Sequence, residues 1–237
     1  VIKKCNFVKA FKHINYNHIY KKMKHMQDTS TVYNIANSFA ELTAQSIFLT
    51  GKAGTGKTTF LRKLKEDSLK QIAVVAPTGV AAINAGGVTM HSFFQLPFTP
   101  FVPTLEGKRN LISKLKITNV RRKVLQELEL LVIDEISMVR ADVLDEVDAI
   151  LRHYRFRPTE AFGGVQVILI GDMYQLSPVV LNEEWKILSQ FYPSPYFFHS
   201  KVIQQYPPLY IEFDKIFRQK NETFIRLLNE VRNNCLS

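Results

Sequence analysis

The chain has 237 residues, 46% of them hydrophobic, 22% charged and 11% aromatic, which excludes a disordered or collagen-like protein and leaves ample material for a buried core. Its apolar runs are too short to span a bilayer, and Cys5 and Cys235 have no disulfide or metal-ligand spacing, so we expect a protein of the reducing cytoplasm without membrane contact. The formal net charge of +10 permits a phosphate-rich partner without requiring one.

Most of that charge lies in residues 1–28, which hold seven lysines against one acid and show neither a helical nor an alternating hydrophobic period. We expect this basic leader to be a poorly ordered extension, and the functional alternative is an arm that binds nucleic acid. An amphipathic helix is predicted next, over residues 31–44, where Val32, Ile35, Phe39 and Leu42 form one apolar stripe.

Short apolar runs then alternate with helical patterns. The runs are typical of strands buried on both faces and occupy residues 46–50, 72–77, 129–135 and 165–172. Helical patterns occupy residues 58–69 and 141–154, the second with an inner face of Val143, Leu144, Val147, Ile150 and Leu151. This alternation predicts an α/β fold with a mostly parallel sheet flanked by helices. The proline-containing segment 97–124 interrupts it and predicts a small insertion or subdomain within one domain over residues 29–237.

A complete G-x-x-x-x-G-K-T motif follows the first run and opens a helix, which is the context of a P-loop. Its glycines let backbone N–H groups close around phosphate oxygens, and the helix N-terminus adds positive potential. We expect Lys57 to reach the β- and γ-phosphates of a nucleotide and Thr58 to bind Mg²⁺. The predicted nucleotide-binding residues are Gly51, Lys52, Ala53, Gly54, Thr55, Gly56, Lys57, Thr58 and Thr59.

Two adjacent acids end the third run. Asp134 is expected to hold Mg²⁺, and Glu135 to orient or deprotonate the water that attacks the γ-phosphate. The alternative is that the pair caps the following helix. Gln175 follows the fourth run at the sheet edge where a nucleotide is expected and could sense the γ-phosphate, whereas Asp172 could simply cap a turn.

Five segments together resemble the Pif-type DNA helicases, in the RecD-like branch of helicase superfamily one. They are G-K-A-G-T-G-K-T at 51–58, A-P-T-G-V-A-A-I-N-A-G-G-V-T-M-H-S-F-F at 76–94, I-D-E-I-S-M-V at 133–139, G-D-M-Y-Q-L-S-P-V at 171–179 and F-D-K-I-F-R-Q at 213–219. They occur in the family's order and with its spacing, over roughly residues 30–235.

The resemblance implies a RecA-like domain that uses ATP and Mg²⁺ through the residues named above. It further implies that Gln175 contacts the γ-phosphate and that Arg218 is an arginine finger, a type of group that can raise the rate by ~10³-fold or more. Without the resemblance, Arg218 would be interpreted as a surface charge that caps a helix. It also implies that Thr78, Asn84 and His91 contact single-stranded DNA.

Two aromatic residues beside His91, namely Phe93 and Phe94, could stack on bases or belong to the core, and both interpretations stay open. Helicases of this kind have a second RecA-like domain that supplies another arginine to the ATP cleft, and this chain stops at Ser237, where that domain would begin. We therefore expect a monomeric first motor domain.

The predicted function is that of an ATP-dependent DNA helicase motor domain, weakly active by itself, with single-stranded DNA and the second RecA-like domain as partners. The resemblance implies 5′-to-3′ movement and roles in DNA repair, DNA recombination and telomere maintenance. The alternative is a nucleotide-binding module with little turnover. A P-loop kinase is disfavoured, because it would leave the motif at 76–94 unexplained.

Overall fold

The structure, a computed structural model, describes residues 29–215. The strands of this part are β1 (Ile47–Gly51), β2 (Ile72–Ala76), β3 (Val88–Thr89), β4 (Leu130–Ile133), β5 (Gln166–Gly171) and β6 (Leu209–Phe213). Its α-helices are α1 (Thr29–Leu42), α2 (Lys57–Asp67), α3 (Gly79–Ala85), α4 (Met90–Phe94), α5 (Leu105–Lys114), α6 (Asn119–Glu127), α7 (Ala141–Tyr154), α8 (Asn182–Leu188) and α9 (Lys201–Gln205). Each of these helices is too short or too polar to cross a membrane.

All six strands form one parallel sheet in the order β3-β2-β4-β5-β1-β6. The four predicted runs became β1, β2, β4 and β5, and the predicted α/β fold is confirmed. The sequence pattern missed two strands, both at the edges of the sheet. β3 has only two residues, and β6 alternates between buried and partly exposed positions, with Glu212 exposed. Neither therefore shows the continuous apolar run by which buried parallel strands are identified.

The apolar core lies on both faces of the sheet, and successive residues of a strand point to opposite faces. In β4, Leu131 and Ile133 pack with residues of α4 to α7, whereas Leu130 and Val132 pack with α1 and α2. All four side chains are fully buried, and each contributes roughly 1.5–3 kcal/mol of hydrophobic stabilisation. This rigid layer holds the strand ends, where the predicted site residues lie.

The apolar face of α1 differs from the predicted stripe. Ala36 and Ala40 are fully buried, and Val32 and Phe39 pack against the same cluster. Leu42 is 81% exposed, so its assignment to the buried stripe was wrong. It lies two residues beyond the fully buried Ala40, which at 3.6 residues per turn places it about 200° around the helix from that position.

Segment 97–124 contains α5 and the beginning of α6. Leu111 of α5 and Leu125 of α6 are buried in the same cluster as Leu131 of the sheet, so both helices share the main core. The division of the chain into a leader, a motor domain and this insertion stays a prediction.

Helix α7 has the predicted bounds, and Leu144, Val147, Ile150 and Leu151 of its predicted inner face are buried. The structure also buries much of its opposite face, including four acidic side chains: Asp142, Asp145, Glu146 and Asp148. Asp145 accepts hydrogen bonds from the Tyr192 hydroxyl (2.8 Å) and from the backbone N–H groups of Lys201 (2.8 Å) and Val202 (2.9 Å). These bonds tie α7 to the start of α9.

Candidate active site and nucleic-acid edge

The P-loop, residues 51–58, connects the carboxyl end of β1 to the first turn of α2. Gly51 has a φ of 153°, and a Cβ at this position would lie 2.4 Å from the carbonyl oxygen of Phe213 in β6. Gly56 is the N-cap of α2 and has a φ of 95°. Both positions therefore require glycine. The loop leads into a helix N-terminus, whose first N–H groups lack intrahelical partners and attract anions.

Side chains close the P-loop on itself. The Lys57 ammonium group donates to the carbonyl oxygens of Gly51 (2.6 Å) and Lys52 (3.1 Å). Thr55 is buried, and its hydroxyl donates to the Lys52 carbonyl oxygen at 2.9 Å. A positive charge is thus held over the loop, in the position from which a lysine can reach phosphate oxygens.

Three adjacent strands carry the predicted ATP-site residues to one edge. Thr50 of β1 pairs with Gly171 of β5, and Ile133 of β4 pairs with Leu169 of β5. Because the strands are parallel and in this register, the P-loop, the acidic pair after β4 and the segment after β5 all leave the sheet at its carboxyl edge, the usual ligand edge of such sheets.

The acidic pair after β4 is partly buried and electrostatically coupled. The Glu135 N–H donates to Asp134 Oδ1 at 2.9 Å, and Glu135 has a φ of 51°, a left-handed backbone uncommon for a side chain of this type. Burial raises the pKa of both carboxyl groups. For Glu135 the nearby charges of Asp134 and Asp172 raise its pKa further, while Lys57 lowers it. A carboxylate with a raised pKa is suited to accept a proton.

The two polar candidates in the segment after β5, Asp172 and Gln175, differ in burial. Asp172 is buried and accepts a hydrogen bond from the Tyr174 N–H at 3.0 Å, so it caps a turn as the simpler interpretation expected. It also lies close enough to Glu135 to influence its pKa, a relation that spacing in the sequence did not reveal. The Gln175 side chain is exposed, and the backbone N–H of Gln175 donates to the Asp172 carbonyl oxygen at 3.0 Å.

The donor set fits Mg²⁺ bound mainly through water and phosphate. Thr58 is exposed on the first turn of α2, and Asp134 follows β4 at the same edge of the sheet. Hydroxyl and carboxylate oxygens are the ligands that Mg²⁺ prefers, and in phosphate sites it takes only one or two from the protein. Residues 29–215 contain no group of three or more His, Cys, Asp or Glu side chains that could hold a metal by themselves.

The predicted DNA contacts divide between two places. Thr78 is the N-cap of α3, and its hydroxyl accepts a hydrogen bond from the Ala81 N–H at 3.2 Å. His91 lies in the first turn of α4 beside β3, at the same carboxyl edge as Thr78. Asn84 is instead exposed near the end of α3 and lines a groove of about 330 Å³ together with Thr58 of α2.

The two phenylalanines after His91 belong to the protein interior. Phe94 is fully buried, and Phe93 packs against it with a ring-centroid distance of 4.8 Å. A different aromatic residue, Phe98, is exposed beside His91 and escaped the sequence interpretation. The sequence feature that could have indicated an exposed Phe98 is its position between Pro97 and Pro100, just after the motif at 76–94. The predicted arginine finger, Arg218, lies outside the described residues.

Comparison with known proteins matches the chain to the PIF1-like helicase family over residues 24–236. It is 38% identical to the human ATP-dependent DNA helicase PIF1, over 81% of this chain and 28% of the human protein. It is 32% identical to the Saccharomyces cerevisiae ATP-dependent DNA helicase RRM3, over 79% of this chain and 25% of that protein.

Among solved structures, the fold resembles a Bacteroides Pif1 bound to ssDNA, with a TM-score of 0.77 and 43% identity over 89% of this chain and 46% of that one. A Bacteroides Pif1 in complex with ADP-AlF3 and ssDNA gives a TM-score of 0.78 and 44% identity over 89% of this chain and 47% of that one. The chain thus spans about a quarter of the curated relatives and about half of the solved ones. The RecA-like architecture and the family match agree with the motifs in order along the chain, and the chain belongs to the PIF1-like helicase family.

Proposed function

We propose that this chain is the ATP-dependent motor domain of a DNA helicase, which binds ATP with Mg²⁺ and hydrolyses it by attack of water on the γ-phosphate. One observation carries the proposal: the P-loop, the Asp134–Glu135 pair and the Asp172–Gln175 segment leave three adjacent strands at one edge of the sheet. Glu135 is there subject to the charges of both Lys57 and Asp172.

Each side chain has a role that follows from its chemistry. Lys57 would turn from the loop carbonyls to the β- and γ-phosphates, whose negative oxygens are stronger acceptors. Asp134 and Thr58 would hold Mg²⁺, which neutralises phosphate charge when bound. Glu135 would accept a proton from the attacking water, and Gln175, exposed at the same edge, would contact the γ-phosphate.

Single-stranded DNA is the proposed second ligand. Thr78 and His91 lie at the carboxyl edge of β2 and β3, beside the ATP-site strands. Relatives solved with ssDNA support this choice. Asn84 would contribute through its groove, which Thr58 of the proposed ATP site also lines.

A further RecA-like domain is part of the proposal, because the solved relatives are about twice as long as this chain. Together with Arg218, that domain would supply positive charge to the ATP cleft, and we propose that the motor works as a monomer. A nucleotide-binding module with little turnover of its own is the second candidate, favoured by the same difference in length.

The test is ATP turnover by residues 1–237, measured with and without oligothymidine and with Lys57→Ala as the inactive reference. Slow hydrolysis that Lys57→Ala abolishes would support the motor domain. Tight ATP binding with turnover no faster than that of Lys57→Ala would favour the binding module. A chain that neither binds nor hydrolyses ATP would contradict both.

A further inference from the structure

Phe98 is exposed although the loop that carries it is anchored. Its side chain is 90% exposed, whereas Leu96 and Phe101 on either side are each 4% exposed. The Phe101 N–H also donates to the Asp142 carboxylate of α7 at 3.2 Å. Prolines lie directly before Phe98 and two residues after it, and each restricts the backbone. The loop therefore presents the ring to solvent from a firmly held position.

The ring of Phe98 is also oriented by a stacking contact. It lies over the His91 imidazole with 5.4 Å between ring centroids and 11° between ring planes. Burial and the charge of Arg140 lower the pKa of His91, so at neutral pH the imidazole is an uncharged aromatic support. The imidazole faces one side of the Phe98 ring, and the 90% exposure of the side chain leaves the other side open to a flat ligand.

The segment that follows the loop is rich in positive charge, which favours a polyanion that carries flat aromatic groups. Residues 105–123 hold seven lysines and arginines against one acid. Arg121 of this segment donates to the carbonyl oxygen of Ser92, the neighbour of His91, at 2.8 Å. Of the exposed members, Lys114 lines the same groove as Pro97 and Thr99, which flank Phe98, whereas Arg122 lies over the Tyr154 ring at the end of α7. Sites for single-stranded nucleic acid combine cationic surface for the backbone with aromatic faces for the bases.

We propose that Phe98, supported from behind by His91, is a base-stacking residue for single-stranded DNA. The proposal rests on the proposed function and extends the DNA contact by one nucleotide base beyond the polar contacts of Thr78 and His91. Stacking on a phenylalanine is tolerant of sequence, because every base has an aromatic face. The site would therefore bind single-stranded DNA of any sequence.

A fluorescence experiment reports stacking directly, because Trp185 is the only tryptophan of the chain. In a Trp185→Phe background, Phe98→Trp places the sole reporter at the site. We expect oligothymidine at low salt to quench it, and an oligomer of abasic nucleotides to leave it unchanged. The matched control is Phe156→Trp in the same background, since Phe156 is 78% exposed just after the end of α7, at the opposite edge of the sheet.

Affinity provides the second measurement. Phe98→Ala should weaken oligothymidine binding by about 5-fold or more, the lower end of the loss expected for one base–aromatic stack, and Phe98→Tyr should retain it. Phe156→Ala should have no effect. The loss from Phe98→Ala should vanish on the abasic oligomer, because a pairwise interaction is lost once either partner is removed.

The possible failures are distinguishable. Wild-type binding by Phe98→Ala, or no quenching of the reporter while the chain binds oligothymidine, would overturn the stacking role alone. Failure of the wild-type chain to bind oligothymidine at any salt concentration would overturn the proposed DNA contact and the stacking role together.

Discussion

Lys57 is the residue whose replacement tests the proposed ATP site most directly. Its ammonium group donates to two P-loop carbonyl oxygens, so it is already held over the loop. Lys57→Ala removes a charge-assisted hydrogen bond to phosphate and should weaken ATP·Mg²⁺ binding by about 10-fold or more in calorimetry. Lys63→Ala makes the same charge change at an exposed position of the same helix and should bind normally. Equal affinity of all three proteins would rule out the P-loop assignment.

Glu135 tests the chemical step. Glu135→Gln keeps the shape of the side chain but cannot accept a proton, so ATP should still bind while turnover falls by ~10²-fold or more. In the wild type, burial and the neighbouring acids raise the pKa of Glu135. Since a base works only when deprotonated, the wild-type rate should fall as pH decreases through that pKa, which is raised from the ordinary value of a glutamate. Near-normal turnover by Glu135→Gln would show that this residue only caps the following turn.

At the scale of an element, α7 makes stability depend on pH. Glu146 is buried, its Oε1 has no hydrogen-bond partner within residues 29–215, and its pKa is raised to about 8. Between pH 4.5 and 8 this carboxyl is protonated in the folded chain but ionised in the unfolded chain. Stability is therefore lost as pH rises through that window, by up to about 1.4 kcal/mol per pH unit.

Glu146→Gln removes this titration and tests it. The variant should gain stability over the wild type as pH rises from 5 to 8, by a few kcal/mol in total, measured by urea unfolding at several pH values. The control Glu66→Gln, at an exposed position of α2, should follow the wild-type profile. A constant difference between Glu146→Gln and the wild type across pH would mean that Glu146 does not titrate in this window.

At the scale of the whole molecule, we expect the rate of ATP hydrolysis to depend on a second domain packed against the carboxyl edge of the sheet. The chain spans 46–47% of two solved Pif1 relatives, and an ATP cleft closed by a second RecA-like domain would place donors on the γ-phosphate from both sides. Residues 1–237 alone should therefore show basal ATP hydrolysis barely raised by oligothymidine, and no strand separation. A longer form that includes the second domain should recover DNA stimulation.

A forked-duplex assay can contradict the expectation that strand separation requires a second RecA-like domain. ATP-dependent unwinding by residues 1–237 alone would show that no second domain is needed. If DNA strongly stimulates ATP hydrolysis by residues 1–237 but no unwinding occurs, this domain alone would be sufficient for DNA-stimulated hydrolysis. Glu135→Gln serves as the control in both assays, because it separates ATP binding from hydrolysis.

The sequence alone was sufficient to predict the elements whose structure depends on neighbouring residues. The P-loop was predictable because its glycines, lysine and threonines act through neighbouring backbone, and β1, β2, β4 and β5 were predictable because strands buried on both faces are continuously apolar. The same buried strand pattern located Asp134 and Glu135 at a strand end. The short edge strand β3 and the alternating edge strand β6 have no such run, and the pattern missed them.

Only the tertiary structure decided which distant residues meet. It brought Asp172 near Glu135, stacked Phe98 on His91 and enclosed the acidic face of α7. It also placed Asn84 in a groove that Thr58 and other residues of α2 line. Burial and the distance between charges depend on the packing of segments far apart in sequence, so a carboxylate with a raised pKa or an exposed aromatic ring on an anchored loop has no local signature.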